Sequence, residues 1–345
     1  MGLKALFPHP IIQGPMAGGA NTPALVAAVS NAGGLGSIGA SMLPLDTIRA
    51  QVAEVRRLTD KPFMLNFFVQ GMPNPSAGEL ERAVDLLRPI WSSLGWPELP
   101  MPAKWCEDFG AQFELLLELK PAVASFTFDI LAPAQVQRLH DAGIFVIGTV
   151  TTVEEALAWK EAGADAIVAS GVEAGGHRGT FIGEQSAAVL GAVELLRDVL
   201  QAVRIPVISA GNIMTGADIH ERLALGAAAV QMGTAFLVTD ESGIHPAYKE
   251  RLLRAEGNPT RLTRAFSGRY ARGMENRFIY QMEAVELEVP AYPVQNALTG
   301  SIRAEAAKRG DTELMSLWCG TGVARSRAMP AAQLMQTLVA EIDHS

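Results

Sequence analysis

The sequence predicts an α/β fold, a closed (β/α)8 TIM barrel, from three observations. Short runs of apolar and β-branched residues alternate with stretches that have the spacing of amphipathic helices. Strands that alternate with helices form parallel sheets. The alternation gives eight strands within about 240 residues, which is the usual size of such a barrel. An open, doubly wound sheet is the alternative.

The first part of the chain begins this alternation and then interrupts it. Thr22 stands before a proline at a predicted helix start, and Gly33 with Gly34 follows the end of that helix. The proline-rich residues 69–104 form a predicted insertion, either a lid over a ligand or a surface excursion with its own apolar cluster. The elements predicted here are strands at 10–16, 35–40 and 63–68 and helices at 22–32 and 45–58.

The alternation resumes after the insertion and ends near residue 239. Residues 1–239 are therefore expected to form the barrel, and residues 240–345 a mainly helical C-terminal region that packs over it and covers the substrate. The barrel elements predicted here are strands at 122–128, 145–150, 166–170, 206–210 and 229–232 and helices at 105–119, 134–142, 153–162, 186–202 and 216–225. The tail elements are helices at 246–255, 294–309 and 330–342 and a strand-like stretch at 261–266.

Composition excludes several classes of protein. Hydrophobic residues make up 49% and charged residues 19% of the chain, so it can bury a large core. A net charge of −8 argues against a nucleic-acid surface, and no apolar run reaches the length of a membrane span. The two cysteines give neither a disulfide framework nor a zinc site, and the first ten residues lack a signal-peptide pattern. We expect a cytoplasmic protein.

Glycines at the ends of the last two barrel strands indicate a phosphate site. The seventh predicted strand ends in Ser-Ala-Gly-Asn at 209–212, and Thr215 or Gly216 opens the next helix. The eighth ends in Gln-Met-Gly-Thr at 231–234. Loops at these positions commonly hold phosphate in barrels, through glycine N–H groups and helix N-termini. The alternative is a pair of tight turns that need glycine for steric reasons alone.

Other strand ends carry groups that suit a planar, phosphorylated cofactor. Met16 and Ala17 lie at the end of the first strand, and Thr149 and Ser170 lie at the ends of the fifth and sixth. Asn66 interrupts an otherwise apolar third strand. Because a buried asparagine must be paired, Asn66 either bonds to neighbouring backbone or binds the edge of a ligand.

A glycine-rich loop after the sixth strand carries one histidine. Gly175 and Gly176 precede His177, and Gly179 follows it. A merely solvated loop does not need so many glycines, so we expect His177 to face the ligand. It would act as a general base or as a hydrogen-bond donor to an anionic substrate. Arg178 would either pair with a carboxylate or lie on the surface.

These segments together resemble the nitronate monooxygenase family, also called 2-nitropropane dioxygenases. The Ala-Gly-Gly-His-Arg-Gly loop and the Gln-Met-Gly-Thr-Ala-Phe segment carry the resemblance, with Leu-Trp-Cys-Gly-Thr-Gly at 317–322 in the tail. It implies FMN as cofactor and oxidation of alkyl nitronates, and of nitroalkanes as a further class, by O2 to a carbonyl compound and nitrite. His177 would be the active-site histidine. The expected FMN-binding residues are Met16, Ala17, Asn66, Thr149, Ser170, Gly175, Gly176, Ala210, Gly211, Gln231, Gly233 and Thr234.

The chain departs from the family pattern at several positions. Ser170 stands where many relatives have glutamine, and Thr127 and Asp129 where well-studied members have histidine and glycine; Cys319 and Thr321 replace the usual alanine and glutamine of the tail. Thr127 bears on the substrate more than on the cofactor. The nearest alternative function is an FMN-dependent NAD(P)H reductase of the enoyl-ACP or quinone type. A non-redox isomerase or lyase, with His177 as proton shuttle, is a third. The sequence leaves a homodimer open.

Overall fold

The computed structural model describes residues 2–343, in which eight parallel strands form a nearly closed barrel. Their order around the barrel is β1-β9-β8-β6-β5-β4-β3-β2, and hydrogen bonds of Leu35 with Ile11 and Gln13 join the first strand to the start of the second. The barrel strands are β1 (Ile11–Gln13), β2 (Gly36–Gly39), β3 (Phe63–Phe68), β4 (Val123–Thr127), β5 (Phe145–Val150), β6 (Ala166–Ser170), β8 (Val207–Ala210) and β9 (Ala229–Met232), with β7 (Gly176–His177) outside the barrel. The predicted (β/α)8 fold is confirmed.

Helices separate the barrel strands as the apolar spacing predicts. The Thr22 hydroxyl accepts a hydrogen bond from the Leu25 N–H and caps the first helix, which begins at Pro23. Gly148 has no side chain because any Cβ there would overlap the buried ring of Trp159, which packs against the strand. The barrel helices are α1 (Pro23–Asn31), α2 (Leu45–Leu58), α5 (Phe109–Leu119), α6 (Pro133–Asp141), α7 (Val153–Ala162), α8 (Ala192–Ala202) and α9 (Gly216–Ala224).

The insertion and the C-terminal region share one apolar cluster. The insertion contains α3 (Ala77–Leu86) and α4 (Arg88–Ser93), and it supplies Leu87 and Ile90 to a cluster that also contains Phe278 and Leu298. The insertion is therefore not a surface excursion with a separate core of its own. The remaining helices are α10 (Thr234–Leu237), α11 (Pro246–Leu253), α12 (Arg277–Met282), α13 (Val294–Leu298), α14 (Gly300–Arg309) and α15 (Ala331–Asp343).

The C-terminal region also contains a small sheet. Strands β10 (Thr260–Thr263) and β11 (Ala271–Met274) are antiparallel, and β7 adds to the free edge of β11. The predicted strand-like stretch at 261–266 corresponds to β10, whereas β7 and β11 were not predicted.

Two helix boundaries differ from prediction for visible reasons. The helix predicted at 294–309 is divided at Thr299 into α13 and α14. At this break the Thr299 hydroxyl donates to the Phe266 carbonyl at 2.6 Å. The helix predicted from residue 186 begins at Ala192, where the Glu173 carboxylate accepts the first N–H at 2.9 Å. None of the described helices is long and apolar enough to cross a membrane.

Candidate active site

One cavity is lined both by the carboxyl ends of the barrel strands and by residues of the C-terminal region. All of the site residues predicted from the sequence line it: His177, Met16, Ala17, Asn66, Thr149, Ser170, Gly175, Gly176, Ala210, Gly211, Gln231, Gly233 and Thr234. This is the face at which (β/α)8 barrels bind their ligands. The cavity is also lined by residues of the C-terminal region that strand counting alone does not suggest, among them Arg303, Ser316 and Trp318.

Backbone donors without protein acceptors lie at the ends of β8 and β9. Among residues 2–343, the N–H groups of Gly211, Asn212 and Gly233 donate to no protein atom, and all three residues line the cavity. Gly211 has φ of +120°, a backbone conformation that a side chain would strain. Thr234 Oγ1 accepts from the Gly320 N–H at 2.9 Å, which leaves its own proton available. Gly211 is buried, Gly233 is half-buried and Asn212 is exposed. Three unpaired N–H groups at neighbouring strand ends suit an anion such as phosphate.

The start of α9, which the sequence suggested as part of the anion site, is already filled. Asp218 Oδ2 accepts from the Met214 N–H at 2.8 Å and the Thr215 N–H at 3.0 Å. Glu341 Oε2 accepts from the Gly216 N–H at 2.7 Å. Two carboxylates of the protein therefore occupy this helix terminus, and the available donors are those at Gly211, Asn212 and Gly233.

Asn66 combines the two interpretations that the sequence left open. Its Nδ2 donates to Ser125 Oγ at 2.9 Å, and to Ser125 O and Thr127 Oγ1 at 3.3 Å. Since the carbonyl can only accept, these bonds fix which end of the amide is Nδ2. No described protein group donates to Oδ1, and Asn66 lines the cavity. The residue is thus anchored by its neighbours and also offers an acceptor to a ligand.

His177 lies on a strand and not in a loop, contrary to the sequence-based expectation. Its two-residue strand β7 pairs with β11 in antiparallel register, with Ala271 opposite His177 and Arg272 opposite Gly176. The next residue continues the attachment, because the Arg178 N–H donates to the Tyr270 carbonyl at 2.8 Å. The C-terminal region therefore fixes the backbone of the histidine.

A serine of the C-terminal region is the hydrogen-bond partner of His177. Nε2 of His177 is 2.9 Å from Ser267 Oγ, which is buried. The Ser267 hydroxyl donates to the Arg269 carbonyl at 3.0 Å, and no other described group donates to that carbonyl. We assign the hydroxyl proton to that carbonyl, which makes Nε2–H of His177 the donor in the histidine–serine bond. Nδ1 then carries a lone pair with no protein partner.

Aromatic side chains surround the imidazole. The ring centroids of Tyr292 and Trp318 are each 5.5 Å from that of His177, and those of Phe128 and Phe68 are 5.6 Å and 6.5 Å away. Burial, with smaller effects of the Arg269 and Arg303 charges, lowers the pKa of His177 to about 3. The imidazole is therefore neutral at neutral pH.

Phe128 is a wall residue that sequence reasoning missed. Its φ of 84° is unusual for a bulky residue. Its ring stacks on Phe68 at 4.0 Å between centroids, and the Arg269 guanidinium lies 4.1 Å from the ring centroid. These contacts hold a strained conformation beside His177, as is common at functional sites. A local sequence pattern does not encode positive φ at a phenylalanine.

Arg178 neither pairs with a carboxylate nor lies on the surface. It is 1% exposed and donates to the carbonyls of Ser170, Gly171 and Ala188, at 3.0, 2.6 and 3.0 Å. The expectation for this residue was wrong because its partners are backbone groups, which leave no charge signal in the sequence. Arg178 ties the end of β6 to the segment before α8.

Comparisons with known proteins agree with one another over almost the whole chain. The family model for nitronate monooxygenase matches residues 2–341. A probable nitronate monooxygenase of Staphylococcus aureus (strain MRSA252) is 39% identical over 336 residues, covering 97% of this chain and 94% of that protein.

Two solved structures extend the comparison to the fold. A nitroalkane oxidase from Streptomyces ansochromogenes superposes with a TM-score of 0.92 at 42% identity, covering 99% of this chain and 98% of that one. FabK from Thermotoga maritima superposes with a TM-score of 0.77 at 30% identity, covering 99% and 96%. The chain is thus similar to enzymes named for the oxidation of nitro compounds, and at a greater distance to FabK.

Proposed function

This chain belongs to the nitronate monooxygenase family of flavin-dependent oxidoreductases, and we propose that it uses bound FMN and O2 to oxidise alkyl nitronates. Nitroalkanes would be oxidised after deprotonation, and the products would be a carbonyl compound and nitrite. The observation that carries the proposal is the arrangement of one cavity. Unpaired backbone donors lie at its β8–β9 end, and His177 on β7, a neutral histidine with a free Nδ1, lies among aromatic rings.

The residues around the cavity fit FMN. The N–H groups of Gly211, Asn212 and Gly233 would hold the phosphate, because they otherwise lack acceptors. The free Oδ1 of Asn66 would accept a hydrogen bond from the edge of the flavin ring, and Met16 would contact its face. When bound, FMN would supply the redox chemistry, taking electrons from the nitronate and passing them to O2.

His177 would act through Nδ1. Because its Nε2–H is assigned to Ser267, the imidazole would offer a substrate a lone pair at Nδ1 and no N–H donor. A lone pair can take the α-proton of a neutral nitroalkane, whereas a nitronate already lacks that proton. The aromatic rings around it would exclude water from the reacting carbon. We therefore assign His177 to the deprotonation of nitroalkanes and not to hydrogen bonding of nitronate oxygens.

The alternative function is that of an FMN-dependent NAD(P)H reductase with the same cavity. FabK from Thermotoga maritima shares the fold at 30% identity, while the nitroalkane oxidase is closer in both sequence and structure. The C-terminal residues Trp318 and Gly320, which enclose His177 and the β9 end, belong to the tail pattern that favours the monooxygenase.

The proposal is tested by assaying the purified holoenzyme in air without nicotinamide. Its visible spectrum should be that of a flavin, and the released cofactor should be FMN. Propionate 3-nitronate and ethyl nitronate should consume O2 and release nitrite. Oxidation of NADH by a quinone or an enoyl thioester, with no nitrite from either nitronate, would favour the reductase. A protein that neither holds nor binds a flavin would contradict both functions.

A further inference from the structure

The one cation of the cavity wall among the described residues, Arg303, has no anionic partner. We propose that Arg303 forms an anion subsite facing His177, which binds the two oxygens of the nitronate. The proposal rests on the proposed function for the identity of the substrate, and on the structure for the existence of the subsite.

The guanidinium of Arg303 is only partly used by the protein. It lies on α14, and Nη2 donates to Asn296 O at 2.7 Å and to Asn296 Oδ1 at 3.1 Å. Nε is buried without any acceptor, and Nη1 donates to no described protein atom. A guanidinium has five N–H donors, so most of this one remains available. Asn296 holds the group in place and leaves the rest of it for a ligand.

No acidic side chain compensates the charge of Arg303. Within the part of the chain that the structure describes, no carboxylate oxygen lies within 4.0 Å of it. Burial lowers the pKa of Arg303 to about 10, so it is still a cation at neutral pH. Glu173 is the acidic residue of the cavity wall, and it is bonded to Ala192 N–H and acts on Arg178 and Arg272. Arg303 is half-buried, and a partly desolvated cation without a counter-charge is stabilised when an anion binds beside it.

The position of Arg303 relates it to the substrate end of the cavity. Its charge lowers the pKa of His177, and Tyr292 is the neighbour that acts on Arg303 in turn. The ring centroids of His177 and Tyr292 are 5.5 Å apart, so both neighbours of Arg303 belong to the group of rings around the imidazole. The phosphate donors, by contrast, are backbone groups at Gly211, Asn212 and Gly233. The cavity thus has separate donors for a phosphate and for a second anion.

The chemistry of a nitronate matches such a group. Its two oxygens share a negative charge in a plane, like those of a carboxylate, and guanidinium groups bind that geometry through paired N–H donors. His177 cannot serve these oxygens, because Nδ1 is a lone pair and Nε2–H is taken by Ser267. Arg303 would therefore select the anionic nitronate over the neutral nitroalkane, while His177 acts on the neutral form.

Nitrate, a planar anion with the same oxygen spacing, is the probe for the subsite. Isothermal titration calorimetry of the holoenzyme with sodium nitrate should show binding. Arg303→Met should weaken it by at least about tenfold, the usual loss for a charge-assisted hydrogen bond. Arg303→Lys should fall between the two, because it keeps the charge and loses the planar fork. Arg309→Met, which removes an exposed charge from the same helix, should bind nitrate as the wild type does.

Steady-state kinetics and cofactor content complete the test. Arg303→Met should raise KM for ethyl nitronate about tenfold or more and leave KM for nitroethane nearly unchanged. FMN content should stay at the wild-type level; loss of FMN would mean that Arg303 holds the cofactor phosphate and would overturn the proposal.

Nitrate affinity equal to wild type in Arg303→Met, or no nitrate binding by the wild type, would overturn it as well. If Arg303→Met does not fold, Arg303→Lys decides: wild-type nitrate affinity and wild-type KM for ethyl nitronate would contradict the subsite. Nitrate binding that depends on Arg303, without turnover of nitronates, would instead reject the proposed function.

Discussion

Nε2 of His177 lies 2.9 Å from Oγ of Ser267, a residue ninety positions later in the chain. With the serine proton assigned to the Arg269 carbonyl, the imidazole is assigned as the Nε2–H tautomer. The C-terminal region therefore supplies the hydrogen-bond partner of the histidine. The reactivity of His177 should depend on this distant residue.

Replacing Ser267 tests that dependence. Ser267→Ala removes the acceptor of Nε2–H, so the Nδ1–H tautomer should become populated and turnover of nitroethane should fall about tenfold or more. Nitrogen-15 NMR of the labelled histidine ring reports the tautomer directly. Ser242→Ala is the control, because Ser242 is also buried, its hydroxyl has no partner and it does not line the cavity. An unchanged tautomer in Ser267→Ala would refute the assignment.

The titration of His177 gives a second prediction. Burial lowers the folded-state pKa of His177 to about 3, below the ordinary value of 6.5. Between these values the unfolded chain binds a proton that the native protein does not, so stability falls as pH drops from about 6.5 toward 3 and is fully present above 6.5. His177→Gln should lose less stability than the wild type between pH 7 and pH 5, measured by urea unfolding. The wild-type imidazole should stay neutral at pH 5 by NMR; a midpoint near pH 6.5 is the contrary result.

His177→Asn separates the two substrate forms. The variant lacks the Nδ1 base, so turnover of neutral nitroethane should fall by about 10²–10⁴, the usual range for acid–base catalysis. Ethyl nitronate needs no deprotonation and should lose much less, and FMN should remain bound. His140→Asn is the control, since His140 pairs with Asp165 at 3.0 Å and does not line the cavity. Unchanged turnover of both substrates would exclude a catalytic role for His177.

Gly233 tests the phosphate end of the cavity. A Cβ at this position would approach Met16 Sδ at 3.7 Å, an ordinary contact, and φ is −96°, so alanine fits the fold. The added methyl group would instead occupy space beside the unpaired N–H. Gly233→Ala should keep its thermal stability and lose about tenfold or more in FMN affinity, measured by fluorescence titration of the apoprotein. Gly78→Ala, on the surface of α3, should leave FMN affinity unchanged. Equal FMN affinity in Gly233→Ala would argue against phosphate binding at β9.

The barrel could be predicted because its signals are local. Apolar runs such as 63–68 and glycines such as Gly211 occur where each strand and each strand end must be, and a parallel barrel brings all strand ends to one face. Because all strand ends lie at one face, the sequence alone predicts that Asn66, Ser170 and Gly233 line the same cavity. It also places His177 beside them through the short connection from β6.

The second half of the site depends on contacts between distant parts of the chain. The pairing of β7 with β11 involves only two residues on one side, too few for an alternating pattern. Arg303 lies on a polar helix whose inward side is not distinguished by periodicity, and Phe128 owes its orientation to Phe68 and Arg269. The tertiary structure selects these residues, so composition and spacing could not identify them.

Anaerobic mixing of the holoenzyme with propionate 3-nitronate tests the proposed oxidation most directly. The bound flavin should lose its visible absorbance on mixing with the nitronate, and admission of O2 should restore the absorbance with release of nitrite. The same enzyme mixed with NADH should keep the spectrum of the oxidised flavin. Rapid bleaching by NADH, with none by the nitronate, would contradict the proposed function and make the protein a nicotinamide-dependent reductase.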